Sequence, residues 1–305
     1  MQLLTPVENP PCPWQITYSD RLLLLGSCFS DNMAHKLKEY FFQVTANPSG
    51  TLYNPVSIAH HVSSPEFRQA DVVMLTFGTA WVYSDLRILT DGQPTVSRRS
   101  ADSQPTDDAV VSEVSPLSDT ASRGRLLEAV VDNCMKRPAF DFLRFRLTVS
   151  EILDLWTPVL ADNPDKRFVF TVSPIRHLKD GLHGNQLSKA ILLQAVDELV
   201  ARHAGQAFYF PSYEILLDEL RDYRFYAADM MHPSDTAVEY IWERFADAFL
   251  RSEDTRADMR ELHRLWLDRQ HRPLKPDSPE WLRFKESLAD REKALAQRFT
   301  WITNS

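Results

Sequence analysis

Short unbroken apolar runs recur along the chain at residues 22–25, 72–75, 168–172 and 208–210. Runs of this kind predict strands buried on both faces. Between and after them, apolar residues return with helical spacing over 30–40, 148–160, 187–203 and 233–250, which predicts amphipathic helices. Strand followed by helix, repeated, predicts right-handed β-α-β units and a three-layer α/β/α sandwich around a parallel sheet. Ligands of such sheets bind beyond the carboxyl ends of the strands. Gly26-Ser27, Gly78-Thr79 and Ser173-Pro174 fall there.

Two segments depart from this rhythm. Residues 91–125 are rich in Ser, Asp, Thr and Pro, and predict a surface insertion that extends a hairpin between 81–89 and the stretch before Cys134. It reads either as an elongated loop or as a lid. Residues 251–305 are charged and helical, with Trp266, Leu267, Trp281, Leu282, Phe284 and Leu288 forming an apolar face that must dock on the main domain or on a second subunit. The expected organisation is a main domain over 1–250, carrying the insertion, and a helical C-terminal extension over 251–305.

Composition narrows the function. The net charge of -8 argues against nucleic acid, which needs a basic footprint. Three cysteines, Cys12, Cys28 and Cys134, show no CxxC spacing, so a disulfide framework is not expected. The first residues lack the basic and apolar regions of a signal peptide. No apolar run reaches the ~18 residues of a spanning helix. The expectation is a soluble cytoplasmic protein with no membrane partner. Nucleotide-binding and metal-ligand spacings are missing from the sequence, so neither a cofactor nor a metal is expected.

The stretch LLLLGSCFSDNMAHKL places two potential nucleophiles, Ser27 and Cys28, where a strand runs into a helix. A serine there has its backbone N–H at the positive end of the helix dipole, a geometry that suits an exposed nucleophile. It suits a helix N-cap equally well. Cys28 competes, but a cysteine at a buried junction is more often inert packing. A base is available in DMMHPS, where Asp229 precedes His232 by three residues and can orient its ring. Pro233 suits the first turn of the following helix. The presence of this pair makes Ser27 the better nucleophile candidate. Arg176, His177, His183 and Asn185 follow a strand's carboxyl end and could bind a polar or anionic substrate group. Trp81 and Tyr83 could stack on a sugar. His60 and His61 read as structural.

Strand-Gly-Ser near the start with D-x-x-H near the end resembles the SGNH/GDSL hydrolase superfamily. LLLLGSCFSDNMA resembles its GSCFA branch, with Ser30 in place of the final alanine. NPSGTLYNPVSIA, LTFGTAWVY, SPIRHLKDGLHGNQLSKA and DMMHPS extend the resemblance over about residues 20–250. The resemblance implies a flavodoxin-like topology, Ser27 as nucleophile, His232 as base and Asp229 as its orienting partner. It implies an oxyanion hole from the Ser27 N–H and the Gly50 N–H, with Asn47 beside them in the substrate-binding region. The superfamily's third donor, an asparagine, is absent, because Ala80 stands in its place. Thr79 or Asn133 could substitute. A missing donor costs ~3 to 4 kcal/mol of transition-state stabilisation.

The function expected is a serine esterase or deacylase working through an acyl-enzyme on an O-acylated small molecule or carbohydrate. The alternatives are a ligand-binding protein on the same scaffold and an acyltransferase.

Overall fold

The computed structural model describes residues 5–89 and 120–304. The leucine run becomes β1 (Arg21–Gly26), which pairs in parallel with β2 (Gln43–Ala46) on one side and β3 (Val72–Phe77) on the other. A separate antiparallel hairpin joins β4 (Trp81–Asp85) to β5 (Phe142–Arg146). Strands β6 (Arg167–Val172) and β7 (Ala207–Tyr209) complete a five-stranded parallel sheet of order β2-β1-β3-β6-β7. With the hairpin left out, this is the flavodoxin-like winding, and its switch point lies between β1 and β3.

The helices that follow β1 to β4 are α1 (Cys28–Glu39), α2 (Pro55–Ala59), α3 (Pro65–Gln69) and α4 (Leu86–Leu89). Next come α5 (Thr120–Glu128), α6 (Val149–Ala161), α7 (Gly181–Arg202) and α8 (Ser212–Glu214). The chain closes with α9 (Asp235–Phe249), α10 (Glu253–Gln270) and α11 (Pro279–Arg298).

Strand alternation sorts the core into two layers. Leu22, Leu24, Met74 and Val169 face Met33 of α1, Ile241 and Phe245 of α9, Leu262 of α10 and Leu295 of α11. Leu23, Leu25, Val73, Leu75, Phe168 and Phe170 face Trp156 of α6 and Leu192 and Leu199 of α7. Each such side chain contributes roughly 1.5–3 kcal/mol by leaving water. The C-terminal helices therefore share the core of the first layer. The Trp301 indole N–H also donates to the Phe41 carbonyl at 2.8 Å.

Several boundaries differ from the sequence pattern. β2 carries no continuous apolar run and was not expected. α1 begins at Cys28 and α7 at Gly181, both earlier than their apolar periodicity. Pro233 lies in the loop, because Ser234 caps α9 through the Ala237 N–H. β4 pairs with β5, not with the stretch before Cys134, which contributes an isolated bridge from Val130 to Ser84. Of the expected insertion, 91–119 lie outside the described residues and 120–125 begin α5. Among the described residues no helix is long and apolar enough to cross a membrane. A cavity of about 800 Å³, lined by Arg21, Gln43, Trp266 and Trp301 among others, opens at the amino edge of the sheet, away from the strand ends that carry the candidate site.

Candidate active site

At the carboxyl end of β1, Gly26 has φ +140°, and a Cβ there would meet the Thr76 carbonyl oxygen at 2.2 Å. Only glycine lets β1 leave the sheet this close to β3. Ser27 follows as the N-cap of α1, with ψ 170° and its Oγ accepting from the Phe29 N–H at 3.3 Å. Its hydroxyl donates to Ser173 Oγ at 2.9 Å, and the side chain is almost wholly buried. The cap and the link to Ser173 occupy Ser27 in both directions.

Cys28 is the first residue of α1 and is partly exposed. Its Sγ lies 3.3 Å from His232 Nε2. His232 Nδ1 lies 2.5 Å from Asp229 Oδ2, while Asp229 Oδ1 accepts from the N–H groups of Met231 and His232 at 2.9 and 3.0 Å. These backbone donors, and then the imidazole, hold the Asp229 carboxyl down at about 2. An ionised carboxylate can only accept, so Nδ1 carries the ring proton and the Nε2 lone pair faces the thiol. The sequence reading pairs His232 with Ser27; in the structure His232 meets Cys28, and the hydroxyl of Ser27 points to Ser173. Burial pushes the Cys28 thiol up, against the pull of its own N–H and that of Phe29. The resting thiol is therefore protonated, and an attack through sulfur needs His232 to take the proton.

Behind the thiol, Tyr53 O accepts from the Gly78 and Thr79 N–H groups, both at 2.8 Å. The Tyr53 ring meets His177 edge-on at 6.0 Å. Asn185 Oδ1 holds the His177 N–H at 3.0 Å. His177 Nε2 is buried beside Gly78 and makes no hydrogen bond among the described residues. Burial, then the Lys189 charge, pushes this imidazole down to about 4. Lys189, buried on α7, donates to Gly78 O at 2.6 Å and Ser173 O at 2.7 Å and so ties the ends of β3 and β6 together. Its burial lowers the ammonium to about 7. The sequence reading missed Lys189, although it shares the helical stripe of Leu192, Val196 and Leu199, where a lysine has to be explained.

The other expected residues fare differently. The Ser27 N–H donates to Thr76 O at 3.3 Å and the Gly50 N–H to Asn47 O at 2.8 Å, so neither is a free oxyanion donor. Asn47 accepts from the Gly26 N–H and donates to Asp31. Thr79 Oγ1 is bound to Ser188 Oγ and accepts from the Trp81 N–H. The exposed Asn133 accepts from the Met135 N–H at 3.0 Å, and among the described residues it makes no hydrogen bond to Cys28 or His232. The Arg144 guanidinium, which pairs with Asp180, covers the Trp81 ring at 4.0 Å, so Trp81 is not a bare stacking platform. His183 is exposed on α7. His60 and His61 are both held by Asp132. No group of three His, Cys, Asp or Glu side chains among the described residues could hold a metal.

The GSCFA family model matches residues 21–65 and 123–245, more than half of the chain. The chain belongs to the GSCFA family. The matched segments of this GSCFA protein hold Cys28, His177, Asp229 and His232. Ser30, where the family name has alanine, is buried with its hydroxyl donating to Thr76 Oγ1 at 2.8 Å. No curated protein matches the chain. Among solved structures, a catalytic mutant of an acetylxylan esterase from Geobacillus stearothermophilus is similar at 9% identity and a TM-score of 0.43, over 77% of this chain and 97% of that one. An alpha/beta hydrolase from the metagenome of Lake Arreo, Spain, is similar at 10% identity and a TM-score of 0.42, over 76% of this chain and 96% of the other. A GDSL-like lipase from Bacteroides thetaiotaomicron has 9% identity and a TM-score of 0.37, over 75% and 87% respectively.

Proposed function

We propose that this GSCFA protein is an acyl hydrolase of SGNH type whose nucleophile is the Cys28 thiol, acting on esters of a small molecule or carbohydrate. The observation that carries the reading is the Cys28 Sγ–His232 Nε2 contact at 3.3 Å, with Asp229 fixing the tautomer. Sulfur attacks the acyl carbon while its proton passes to Nε2. The tetrahedral intermediate expels the alkoxide, which takes that proton and leaves a thioester on Cys28. Water then attacks the thioester, giving a proton to Nε2. The departing thiolate recovers it, and the carboxylic acid is released.

Two donors suit the oxyanion. The Cys28 N–H is at the open N-terminus of α1, where amide groups lack intrahelical partners. His177 Nε2, which lies beside Gly78 without a hydrogen-bond partner among the described residues, would be a neutral donor in the tautomer that carries its proton there. Each such donor is worth about 3 kcal/mol.

The test is acid-quenched incubation with 4-nitrophenyl acetate followed by peptide mass spectrometry. Acetyl on Cys28 supports the reading, and acetyl on Ser27 overturns it. A second reading, a ligand-binding protein on this scaffold, draws on the Ala80 N–H, which is committed to Ser188 Oγ at 2.7 Å instead of facing the site. Ester left intact by folded protein, with no adduct, would favour that reading.

A further inference from the structure

Beside the His232 loop lies an open cavity of about 450 Å³, at the carboxyl ends of β6 and β7 where ligands of such sheets bind. Its walls hold two guanidinium groups, Arg176 and Arg221. Neither forms an ion pair among the described residues, whereas most arginines of this acidic chain do. Arg176 lies over the Tyr226 ring at 4.1 Å and near the Tyr223 ring at 5.3 Å. That stacking restricts the plane of the fork, and a planar guanidinium stacked in this way can still donate along its edge.

Arg221 ends a π-helical turn (Ile215–Leu220) with φ +52°. Such turns are rare and frequently mark functional positions. Tyr213 OH donates to Gln186 Oε1 at 2.7 Å, which directs the amide group of Gln186 to serve as a further donor in the cavity wall. Asp218, on the same wall, leaves the lining with one net positive charge.

The cavity is bonded to the catalytic loop. The Arg176 N–H donates to Met231 O at 3.2 Å, one residue before His232, and Tyr226 bridges to Pro233, one residue after it. The backbone of Arg176 and that of Tyr226 are therefore fixed to the residues on either side of His232, so the cavity wall and the imidazole share one loop.

We propose that this cavity is the substrate-recognition subsite and that it takes an anionic group, a phosphate or a carboxylate, attached to an aromatic or sugar ring. The proposal rests on the acyl hydrolase reading for its place in catalysis. Its binding claim stands apart from that reading. Two guanidinium forks match either anion bidentately, and the tyrosines offer faces to the ring that bears it.

The experiment is titration calorimetry of the full chain with phenyl phosphate, benzoate and phenol, none of which is an acyl ester. Binding then reads the subsite whether or not Cys28 proves to be a nucleophile. Phenyl phosphate or benzoate should bind at one site, at least tenfold more tightly than phenol, and the tighter of the two names the anion. Arg221→Asn, which tolerates the positive φ, and Arg176→Lys, which keeps charge but loses the fork, should each weaken that binding about tenfold or more. The proposal is overturned if neither anion binds, if phenol binds equally well, or if both folded variants bind as the wild type does.

Discussion

Cys28 Sγ lies 3.3 Å from His232 Nε2, although 204 residues separate the two in sequence. One position earlier, Ser27 is buried and bonded to Ser173. On the proposed reading the two side chains have separable roles. Cys28→Ala should abolish ester turnover, a loss of about a thousandfold or more. Ser27→Ala should cost about 1 kcal/mol of stability through the lost helix cap and leave turnover within about tenfold. Paired thermal unfolding and 4-nitrophenyl acetate assays check both.

Asp229→Asn removes the carboxylate that holds the His232 proton on Nδ1. Turnover should fall by about a hundredfold to ten-thousandfold, by analogy with other triads, and Cys28 alkylation by iodoacetamide should slow as well. The Asp229 carboxyl is held down at about 2, below its ordinary value. Its stabilising contribution is therefore present above the unfolded value and is lost as pH falls through the native one. Wild type and Asp229→Asn should differ in melting temperature at pH 6 and converge toward pH 2.

His177 responds to acid in the same direction as Asp229 but through burial, and opposite to a histidine that gains an anionic partner. Its native value, about 4, lies below the usual imidazole range, so the unfolded chain takes up the proton first. Stability should fall as pH drops from roughly 6.5 to roughly 4, by at most about 3 kcal/mol from this group. His177→Gln should flatten that part of the profile. Urea midpoints at several pH values across the window compare the two proteins, and parallel profiles would refute the assignment.

Gly26→Ala forces a Cβ into the Thr76 carbonyl at a positive φ. The expected loss is about 3 kcal/mol or more, read from chemical denaturation.

Leu262 is fully buried in the cluster that contains Leu22 and Leu24 of β1. Leu262→Ala should cost about 2–5 kcal/mol and lower the midpoint of the whole chain. A separate early transition of the last helices would show that they fold alone.

The legible parts of this structure are those whose burial is written as continuous apolar runs. β1, β3 and β6 fall where Leu22, Val72 and Phe168 begin such runs, and the Asp229-x-x-His232 pair was readable from spacing. β2 was hidden because Gln43, Val44 and Ala46 are only half-buried at the sheet edge, so no apolar signal was required of them. The start of α7 was masked by Gly181 and Gly184, which read as loop. The choice between Ser27 and Cys28 was hidden for a geometric reason. The N-cap side chain turns back onto its own helix, while the next residue starts a new direction about 100° further round. Neighbours in sequence thus face different partners, and composition does not reveal which one faces His232.

Cys28 stands at the head of α1, and His232 precedes α9. The two helices are joined by the Lys36–Glu239 ion pair at 2.5 Å and by Tyr40 stacked on Trp242 at 5.2 Å. Thiol and imidazole are thus mounted on one chassis, whose joint lies about two to three turns along α1 from the thiol and about one to two turns into α9. A designer who wished to retune this site could leave every reacting group untouched and work only at the joint.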